Sequence, residues 1–183
     1  MILDVKEAIT TRRAYRALAP FKIDDALIWD LAESIQLTPS CFNNQPWRFI
    51  FIRSPSLLKK LHTTLSPNNR WVHASSLIAV VYSKKDLDCL IKEREYFLFD
   101  TGMATAFLIL RATELGFVAH PIAGYDEEKV KNILNLPEEV IVITLVIIGK
   151  HADTISELLT EKQAETEYKR PNRKPVDEFI LVR

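Results

Sequence analysis

The sequence has little of what marks a disulfide-rich, metal-binding or membrane-spanning protein. Only Cys41 and Cys89 are cysteines, too few for a disulfide scaffold or a four-ligand zinc site. The histidines are scattered without the spacing of metal ligands, so we expect no metal. No stretch approaches the roughly 18 apolar residues of a membrane helix. Charged residues interrupt the N-terminal MILDVKEAIT, unlike the apolar core of a signal peptide, which favours a cytoplasmic location.

An excess of charge of either sign is also lacking, because 24 Lys and Arg balance 24 Asp and Glu. This balance argues against a protein whose main partner is a nucleic acid or a membrane surface. The apolar fraction of 48% and the charged fraction of 26% are those of a folded globular protein. A length of 183 residues fits a single domain over residues 1–183, and no repeat or low-complexity segment divides it.

Capping residues and apolar spacing predict several helices. Asp4 and Glu7 have the spacing of a capping box, and Ser54 and Pro55 together form another helix start. The segment 87–115 is apolar nearly all round and is predicted to be a buried helix, or two helices with a break. The predicted helices cover residues 3–15, 24–37, a stretch from Pro55, 87–115 and a stretch after Asp126.

Short runs of branched and aromatic residues predict strands between these helices. They are RFIFI (48–52), SLIAVVY (76–82), a short strand in FVAHPIAGYD, and VIVITLVIIG (140–149). The second run is apolar on both faces and should be central in the sheet. Residues 151–183 are predicted to form an extended C-terminal arm in which FILV (179–182) is a last potential strand, placed to pair with another subunit. The layout is α+β.

Three arginines lie within five residues, at Arg12, Arg13 and Arg16. A planar guanidinium suits bidentate binding of a phosphate, so the cluster is a candidate anion site. The alternative is a solvated helix end whose positive charge offsets the helix dipole.

The turn Pro39-Ser40-Cys41-Phe42-Asn43-Asn44-Gln45-Pro46-Trp47 gathers hydroxyl, amide and backbone groups. Its prolines exclude a helix, and such a loop can bind the polar edge of a heterocycle. The alternative is a plain connecting loop.

Large aromatic side chains could form a stacking surface for an aromatic substrate, but at helix and strand positions they are mostly core, and we assign them to the core. They are Trp29, Trp47, Trp71, Phe97, Phe99 and Phe107. His120 at a strand end is taken as structural.

These motifs, in order and spacing, resemble the FMN-dependent nitroreductase family over nearly the whole chain. They are RRAYR (12–16), PSCFNNQPW (39–47), Asp100-Thr101-Gly102 in the long helix that ends at LGF (115–117), PIAGYD (121–126), and Arg173 in NRKPVDEF. The resemblance implies a nitroreductase-like α+β fold with a mostly antiparallel central sheet flanked by helices. It also implies a homodimer that exchanges its C-terminal arm and strand and holds FMN at the subunit interface.

The resemblance further implies roles for particular residues. Arg12, Arg13 and Arg16, with Arg173, would bind the FMN phosphate or nearby polar groups. The turn of Pro39, Ser40 and Cys41 would come from the partner subunit and lie against the flavin ring, with Asn43 and Gln45 near the ribityl chain or the ring. The loop of Pro121, Ala123 and Gly124 would place backbone N–H groups beside the flavin nitrogen that accepts the hydride, so no catalytic side chain is expected.

Three positions depart from the family pattern. Ala14 and Cys41 stand where a serine is frequent, so two hydroxyl contacts are missing or replaced by a weak thiol, and Ala123 replaces an acidic residue that some members have. We therefore also expect FMN binding to be weaker than is typical of the family.

The implied function is an FMN-dependent oxidoreductase that passes a hydride from NADH or NADPH to an electron-poor acceptor, such as a nitroaromatic or a quinone, by a ping-pong mechanism. The alternatives are a flavin-binding sensor or storage dimer with little turnover, and a same-fold enzyme with different flavin chemistry, such as reductive dehalogenation or oxidation of a peptide ring.

Overall fold

The computed structural model describes residues 4–183, and the predicted helix start at Leu3 lies outside the described residues. Its centre is an antiparallel sheet with the strand order β1-β7-β3-β2, in which β6 also pairs with β7. A separate two-stranded hairpin is formed by β4 and β5. The strands are β1 (Leu18–Ala19), β2 (Arg48–Ile52), β3 (Leu77–Ser83), β4 (Leu90–Ile91), β5 (Arg94–Glu95), β6 (Val118–Ile122) and β7 (Ile141–His151).

Helices cover both faces of this sheet. They are α1 (Val5–Thr11), α2 (Asp25–Gln36), α3 (Pro55–His62), α4 (Tyr96–Glu114), α5 (Glu127–Leu134) and α6 (Glu161–Tyr168). Short 3-10 helices lie at Cys41–Asn43, Pro67–Ala74, Lys85–Leu87 and Val176–Glu178. The α+β prediction is confirmed, and no helix among residues 4–183 is long and apolar enough to cross a bilayer.

The central strands are apolar throughout because helices pack on both of their faces. On one face, Ala79 of β3 and Val146 of β7 pack in a cluster with Leu31 of α2 and Leu108 of α4. On the other face, neighbouring residues of β3 and β7 pack with residues of α3 and α5 around Trp71. Every residue from Leu77 to Val81 is fully buried, which confirms the prediction of a central strand apolar on both faces.

The first helix is shorter than predicted. Its capping box is present, since the Glu7 N–H donates to Asp4 Oδ1 at 2.8 Å and the Asp4 N–H donates to Glu7 Oε2 at 3.0 Å. The helix ends at Thr11, and Arg12 already has an extended ψ of 125°. The prediction that it continues to Tyr15 is wrong, and Arg13 and Arg16 lie on extended chain rather than on a helix end.

The segment 87–115 was predicted as one or two helices, and its first part is instead the β4–β5 hairpin. Lys92 takes a positive φ of 58° in the hairpin turn, so the chain reverses there before α4 begins at Tyr96. The long helix then ends before Gly116, whose φ of 76° suits a glycine after a helix C-terminus.

The long helix is not buried all round, because one of its sides faces solvent. The side chains of Phe99 and Phe107 are exposed, and so is Trp29 on the neighbouring α2, so the assignment of these three aromatics to the core is wrong. Trp47, Trp71 and Phe97 are buried as predicted. The exposed apolar side chains on α1, α2 and α4 are Val5, Ile9, Trp29, Leu98, Phe99 and Phe107, and we call them the apolar face.

The C-terminal arm contains α6, whose Glu167 side chain is buried. Before this helix, Leu158 and Leu159 of the arm pack against the core cluster around Trp71. Beyond it, residues 179–182 form no strand within this single chain, and their apolar side chains are exposed. Exchange of this segment with a partner subunit stays a prediction.

Candidate functional site

An arginine-lined cavity of about 230 Å³ lies where the two ends of the chain meet. It brings together the predicted Arg12, Arg13, Arg16 and Arg173, which are up to 161 positions apart in the sequence numbering. The lining residues are Arg12, Arg13, Ala14, Arg16, Thr166, Arg170, Pro171 and Arg173, and we call this cavity the arginine pocket. Arg170 was not predicted as a site residue, because it lies in a charged segment in which no pattern distinguishes it from its neighbours.

Hydrogen bonds between the two chain ends build the pocket. Arg13 donates to the Thr166 carbonyl at 2.6 Å, and Arg16 donates to Thr166 Oγ1 at 3.2 Å. Arg170 reaches back to the carbonyls of Thr10 and Arg12 at 2.6 and 2.9 Å. These acceptors are neutral, so the bonds position the guanidinium groups without cancelling their charge.

Glu167 fixes the extended segment that carries the arginines. Its carboxylate is buried and accepts from the backbone N–H groups of Arg16 at 2.8 Å and Ala17 at 3.3 Å. His151 Nε2 lies 3.3 Å from Glu167 Oε2, and the His151 ring stacks on Tyr15 at 3.8 Å. Sequence reasoning missed Glu167, because one glutamate among the charged residues of α6 has no local signal of burial.

The electrostatics of the pocket show positive charge without a counter-charge. Burial lowers the pKa of Arg12, and the neighbouring Arg170, Arg173 and Arg13 lower it further. Within residues 4–183, no salt bridge joins a pocket arginine to a carboxylate. The donor set is therefore suited to an anion with several acceptor oxygens, such as a phosphate.

His120 connects the arginine pocket to the loop after β6. Its Nδ1 lies 3.1 Å from the Tyr15 carbonyl, which fixes this nitrogen as the donor, and its ring packs at 4.7 Å from the Trp71 ring. Burial lowers the pKa of His120 to about 4. The hydrogen bond to Tyr15 acts in the opposite direction and raises this pKa, whereas the nearby charges of Arg16 and Arg12 lower it further. The imidazole is thus neutral near pH 7 and leaves the positive charge of the pocket to the arginines.

The predicted loop of Pro121, Ala123 and Gly124 is only partly a loop. Pro121 lies within β6, where it pairs with Val146, so its assignment to the loop is wrong, and Ala123 and Gly124 follow the strand. Pro121 and Ala123 are exposed. The Gly124 carbonyl accepts from the Ser66 N–H and from Asn69 Nδ2, both at 2.9 Å. A Cβ atom at Gly124 would lie 2.5 Å from Ser66 Oγ and 2.7 Å from Asn69 Nδ2. A glycine is needed here because the loop lies directly on this neighbouring turn.

The predicted turn Pro39 to Gln45 is a tight loop with unusual backbone geometry, and we call it the 39–45 loop. Phe42, Asn43 and Gln45 all have positive φ, at 47°, 59° and 49°. Ser40 Oγ accepts from the Gln45 N–H at 3.0 Å, and Asp100 Oδ2 of α4 accepts from the Cys41 N–H at 2.7 Å. Phe42 is 86% exposed at the tip.

A disulfide joins Cys41 of this loop to Cys89, next to the β4–β5 hairpin. The description of Cys41 as a weak thiol is therefore wrong, since its sulfur is already bonded. Ligand atoms of Cys41, Asp88 and Cys89 lie within 4.8 Å of one another, but the joined sulfurs are not the thiolates that metals bind. The role of Cys89 was missed because its pairing depends on how the hairpin folds.

The arginine pocket and the 39–45 loop are separate in one chain. The pocket lies between the segment after α1 and the segment around α6, whereas the loop is attached to the start of α4 and to Asp88 and Cys89. Among residues 4–183, no hydrogen bond or salt bridge links the two. The structure thus brings the predicted arginines together and does not bring the predicted loop to them.

Comparison with known proteins shows what this chain is similar to. Among curated proteins, "Putative NAD(P)H nitroreductase YdgI" of Bacillus subtilis is 28% identical, with 82% of this chain and 90% of the relative covered. A protein named NADH dehydrogenase of Thermus thermophilus is 24% identical, with 83% and 89% covered. A crystal structure described as "a putative nitroreductase in complex with FMN" from Exiguobacterium sibiricum matches with a TM-score of 0.80 at 21% identity, covering 99% of this chain and 98% of that one.

The model of the nitroreductase family matches residues 9–71 and 61–150, more than half of the chain. This match includes the segment of Arg12 to Arg16, the 39–45 loop and the segment of Pro121 to Gly124. The chain belongs to the nitroreductase family.

Proposed function

We propose that this protein is an FMN-dependent oxidoreductase that oxidises NADH or NADPH and reduces an electron-poor acceptor, such as a nitroaromatic or a quinone. The observation that carries the proposal is the arginine pocket, in which both ends of a nitroreductase-family chain converge on one anion site. The names of the relatives and the FMN complex of the Exiguobacterium structure support the same cofactor and co-substrate.

The residues of the pocket fit the phosphate of FMN. A phosphomonoester carries close to two negative charges at neutral pH and three acceptor oxygens. The positive charges of Arg170 and Arg173 lie close enough to Arg12 to lower its pKa, and a bound phosphate would relieve that repulsion. Arg13 and Arg16 are held in place by Thr166, so little side-chain entropy is lost when the anion binds.

The residues proposed for the ring end are Pro121 with the loop of Ala123 and Gly124, and the 39–45 loop. The first of these loops would lie next to the arginine pocket because His120 joins the two. His120 directly precedes Pro121, and its ring is hydrogen-bonded to the carbonyl of Tyr15, which lies between Ala14 and Arg16 of the pocket. The hydrogen bonds from Ser66 and Asn69 hold the Gly124 backbone fixed, which is the rigidity that backbone donors need for positioning a ring.

A homodimer would supply the second loop from the partner subunit. The apolar face exposes six apolar side chains on α1, α2 and α4, and exposed apolar patches often mark a contact with another subunit. The 39–45 loop also presents Phe42 to solvent. The segment 179–182, with its exposed apolar side chains, would add to the same contact. Cofactor binding and dimerisation are then linked.

Bound FMN would supply the hydride chemistry between NAD(P)H and the acceptor. The arginine pocket would hold its phosphate, and the two loops would position its ring. One pocket would serve both substrates in turn. Double-reciprocal plots of the initial rate against acceptor concentration, at several fixed NAD(P)H concentrations, should therefore be parallel lines, and intersecting lines would contradict this ping-pong order.

The first test is a visible absorption spectrum of the purified protein with and without added FMN, together with its elution volume on a sizing column. A bound-flavin spectrum at the size of a dimer supports the proposal, and a colourless monomer that does not bind FMN rejects it.

A second test, the anaerobic addition of NAD(P)H, distinguishes an enzyme from a storage or sensor dimer. Only in an enzyme is the flavin bleached rapidly and then reoxidised by an added quinone.

A further inference from the structure

The 39–45 loop has a backbone that its sequence does not favour. Phe42 and Gln45 have positive φ, a left-handed conformation that is unfavourable for a residue with a Cβ atom. Asn43 tolerates this region better. No glycine lies between Pro39 and Trp47, so the conformation persists only if contacts outside the loop impose it.

Few contacts with the rest of the chain impose it, and most of them involve Cys41 or the adjacent residues Asp88 and Cys89. The loop is tied by the disulfide to Cys89, by the bond from the Cys41 N–H to Asp100, and by bonds from Asn44 Nδ2 to Asp88 Oδ1 at 3.2 Å and to Cys89 Sγ at 3.4 Å. Arg48 of β2 also donates to the Gln45 carbonyl at 3.0 Å. Reduction of the disulfide removes the covalent tie and leaves hydrogen bonds.

The remaining ties are noncovalent, and those at Asp88 and Asp100 bring two carboxyl groups together. Burial raises the pKa of Asp100, the bond from Cys41 lowers it, and the neighbouring Asp88 raises it again. Asp88 Oδ2 is buried without a hydrogen-bond partner. Two carboxyl groups close together repel each other when both are ionised, and this repulsion acts against the attachment of the loop once the covalent tie is gone.

We propose that the Cys41–Cys89 disulfide is a thiol-exchange site, and that its reduction by a dithiol releases the 39–45 loop and weakens FMN binding. The second half rests on the proposed function above. Both cysteines are only partly buried, so a small thiol can reach them.

The exchange is balanced in two steps. A thiolate of the reductant attacks one cysteine sulfur, the bond between Cys41 and Cys89 breaks, and the departing sulfur takes up a proton. The second thiol of the reductant then attacks the mixed disulfide and releases the other cysteine. The protein disulfide gains two electrons and two protons, and the dithiol becomes a disulfide.

The first experiment follows the loop without using flavin. Protein purified without reductant is treated with dithiothreitol under native conditions, and free thiols are counted by alkylation and mass spectrometry. Chymotrypsin cleavage after Phe42, the exposed tip of the loop, is then timed against cleavage after Tyr168, the exposed last residue of α6. We expect two free thiols and at least tenfold faster cleavage at Phe42, with the Tyr168 rate unchanged.

The second experiment measures the FMN dissociation constant of the oxidised and the reduced protein by flavin fluorescence. We expect reduction to raise it about tenfold. Cys89→Ser removes the disulfide permanently, so it should match the reduced wild-type protein and no longer respond to dithiothreitol. The reduced wild-type protein serves as the second measurement if this variant folds poorly.

The outcomes separate this inference from the proposed function. A disulfide that resists dithiothreitol, or a reduced protein with unchanged Phe42 cleavage, overturns the exchange site. Faster cleavage with an unchanged FMN dissociation constant overturns the coupling to the cofactor. Faster cleavage in a protein that binds no FMN in either state supports the release of the loop, overturns its coupling to the cofactor, and rejects the proposed function.

Discussion

The arginine pocket and the 39–45 loop are built in opposite ways. The pocket joins the two ends of the chain through many hydrogen bonds to neutral backbone carbonyls, and its extended segment is held by the buried Glu167. The loop is local, has three residues with positive φ, and is held mainly by one disulfide and one bond to Asp100.

This difference indicates that the two ends of the proposed site depend on different conditions. The pocket has several supports and should persist as long as the chain is folded. The loop has few supports and should respond to local changes in redox state. Four substitutions or changes of conditions test this contrast, and they follow in order of decreasing expected effect.

Removing the support of the pocket should have the largest effect. Glu167→Ala leaves the N–H groups of Arg16 and Ala17 buried without an acceptor, and should lower the free energy of unfolding by about 3 kcal/mol. Urea unfolding measures it. Glu165→Ala on the exposed side of the same helix is the control and should change it by less than about 0.5 kcal/mol. Equal effects of the two substitutions would show that Glu167 does not support the pocket.

Acid should weaken the connection between the pocket and the loop after β6. The pKa of His120 is about 4 in the folded protein, below its value of about 6.5 when unfolded. The unfolded chain therefore binds more protons between these values, and the stability present above pH 6.5 is lost as the pH falls towards 4. The loss due to His120 should reach about 2 kcal/mol by pH 5.

Urea unfolding at pH 7 and pH 5, in wild-type protein and in His120→Gln, measures this loss. His62, whose pKa is also lowered to about 4 by burial and by His73, contributes in the same direction, so His62→Gln is a parallel variant. If His120→Gln keeps the full pH dependence of the wild-type protein, His120 is not a source of it.

The charge of the pocket should matter more for FMN than for folding. Arg12→Ala removes a guanidinium with no carboxylate partner, and should raise the FMN dissociation constant about tenfold, or about 1.4 kcal/mol, with little loss of stability. Flavin fluorescence titration measures it. Arg53→Ala is the matched control, because Arg53 is paired with Asp25 at the surface outside the pocket. A similar effect of both substitutions would indicate only a general loss of positive charge.

Relieving the backbone of the 39–45 loop should have the smallest effect. Phe42→Gly removes the cost of positive φ but increases the freedom of the unfolded chain, so the net gain in stability should stay below about 1 kcal/mol. Thermal unfolding measures it. Asn43→Gly should gain less, since asparagine tolerates this conformation. A loss of stability in Phe42→Gly would show that the Phe42 side chain stabilises the single chain.

The sequence predicted the parts of the molecule that depend on local pattern. The strands around Val80 and Val146 were found because they are apolar throughout, and the capping box of Asp4 and Glu7 was found by its spacing. The arginine cluster was found by its spacing and Arg173 through the family resemblance, and the structure brings them together.

The sequence did not predict features that depend on distant contacts. The burial of Glu167 and the position of Arg170 depend on where the C-terminal arm meets the segment after α1. The reversal at Lys92 interrupts a segment with an apolar helical pattern. Trp29, Phe99 and Phe107 are apolar residues on the outside of one chain, which composition cannot distinguish from core residues.

The long strand β7 has a consequence for how this protein is made. It pairs with β1, β3 and β6, and its pairing of His151 with Leu18 joins residues 133 positions apart. During synthesis the earlier strands leave the ribosome without the strand that joins them, so the sheet cannot close until residue 151 has emerged. Such non-local pairing slows folding and leaves apolar strand edges open in the nascent chain. The growing chain should therefore depend on chaperones most strongly just before β7 is complete.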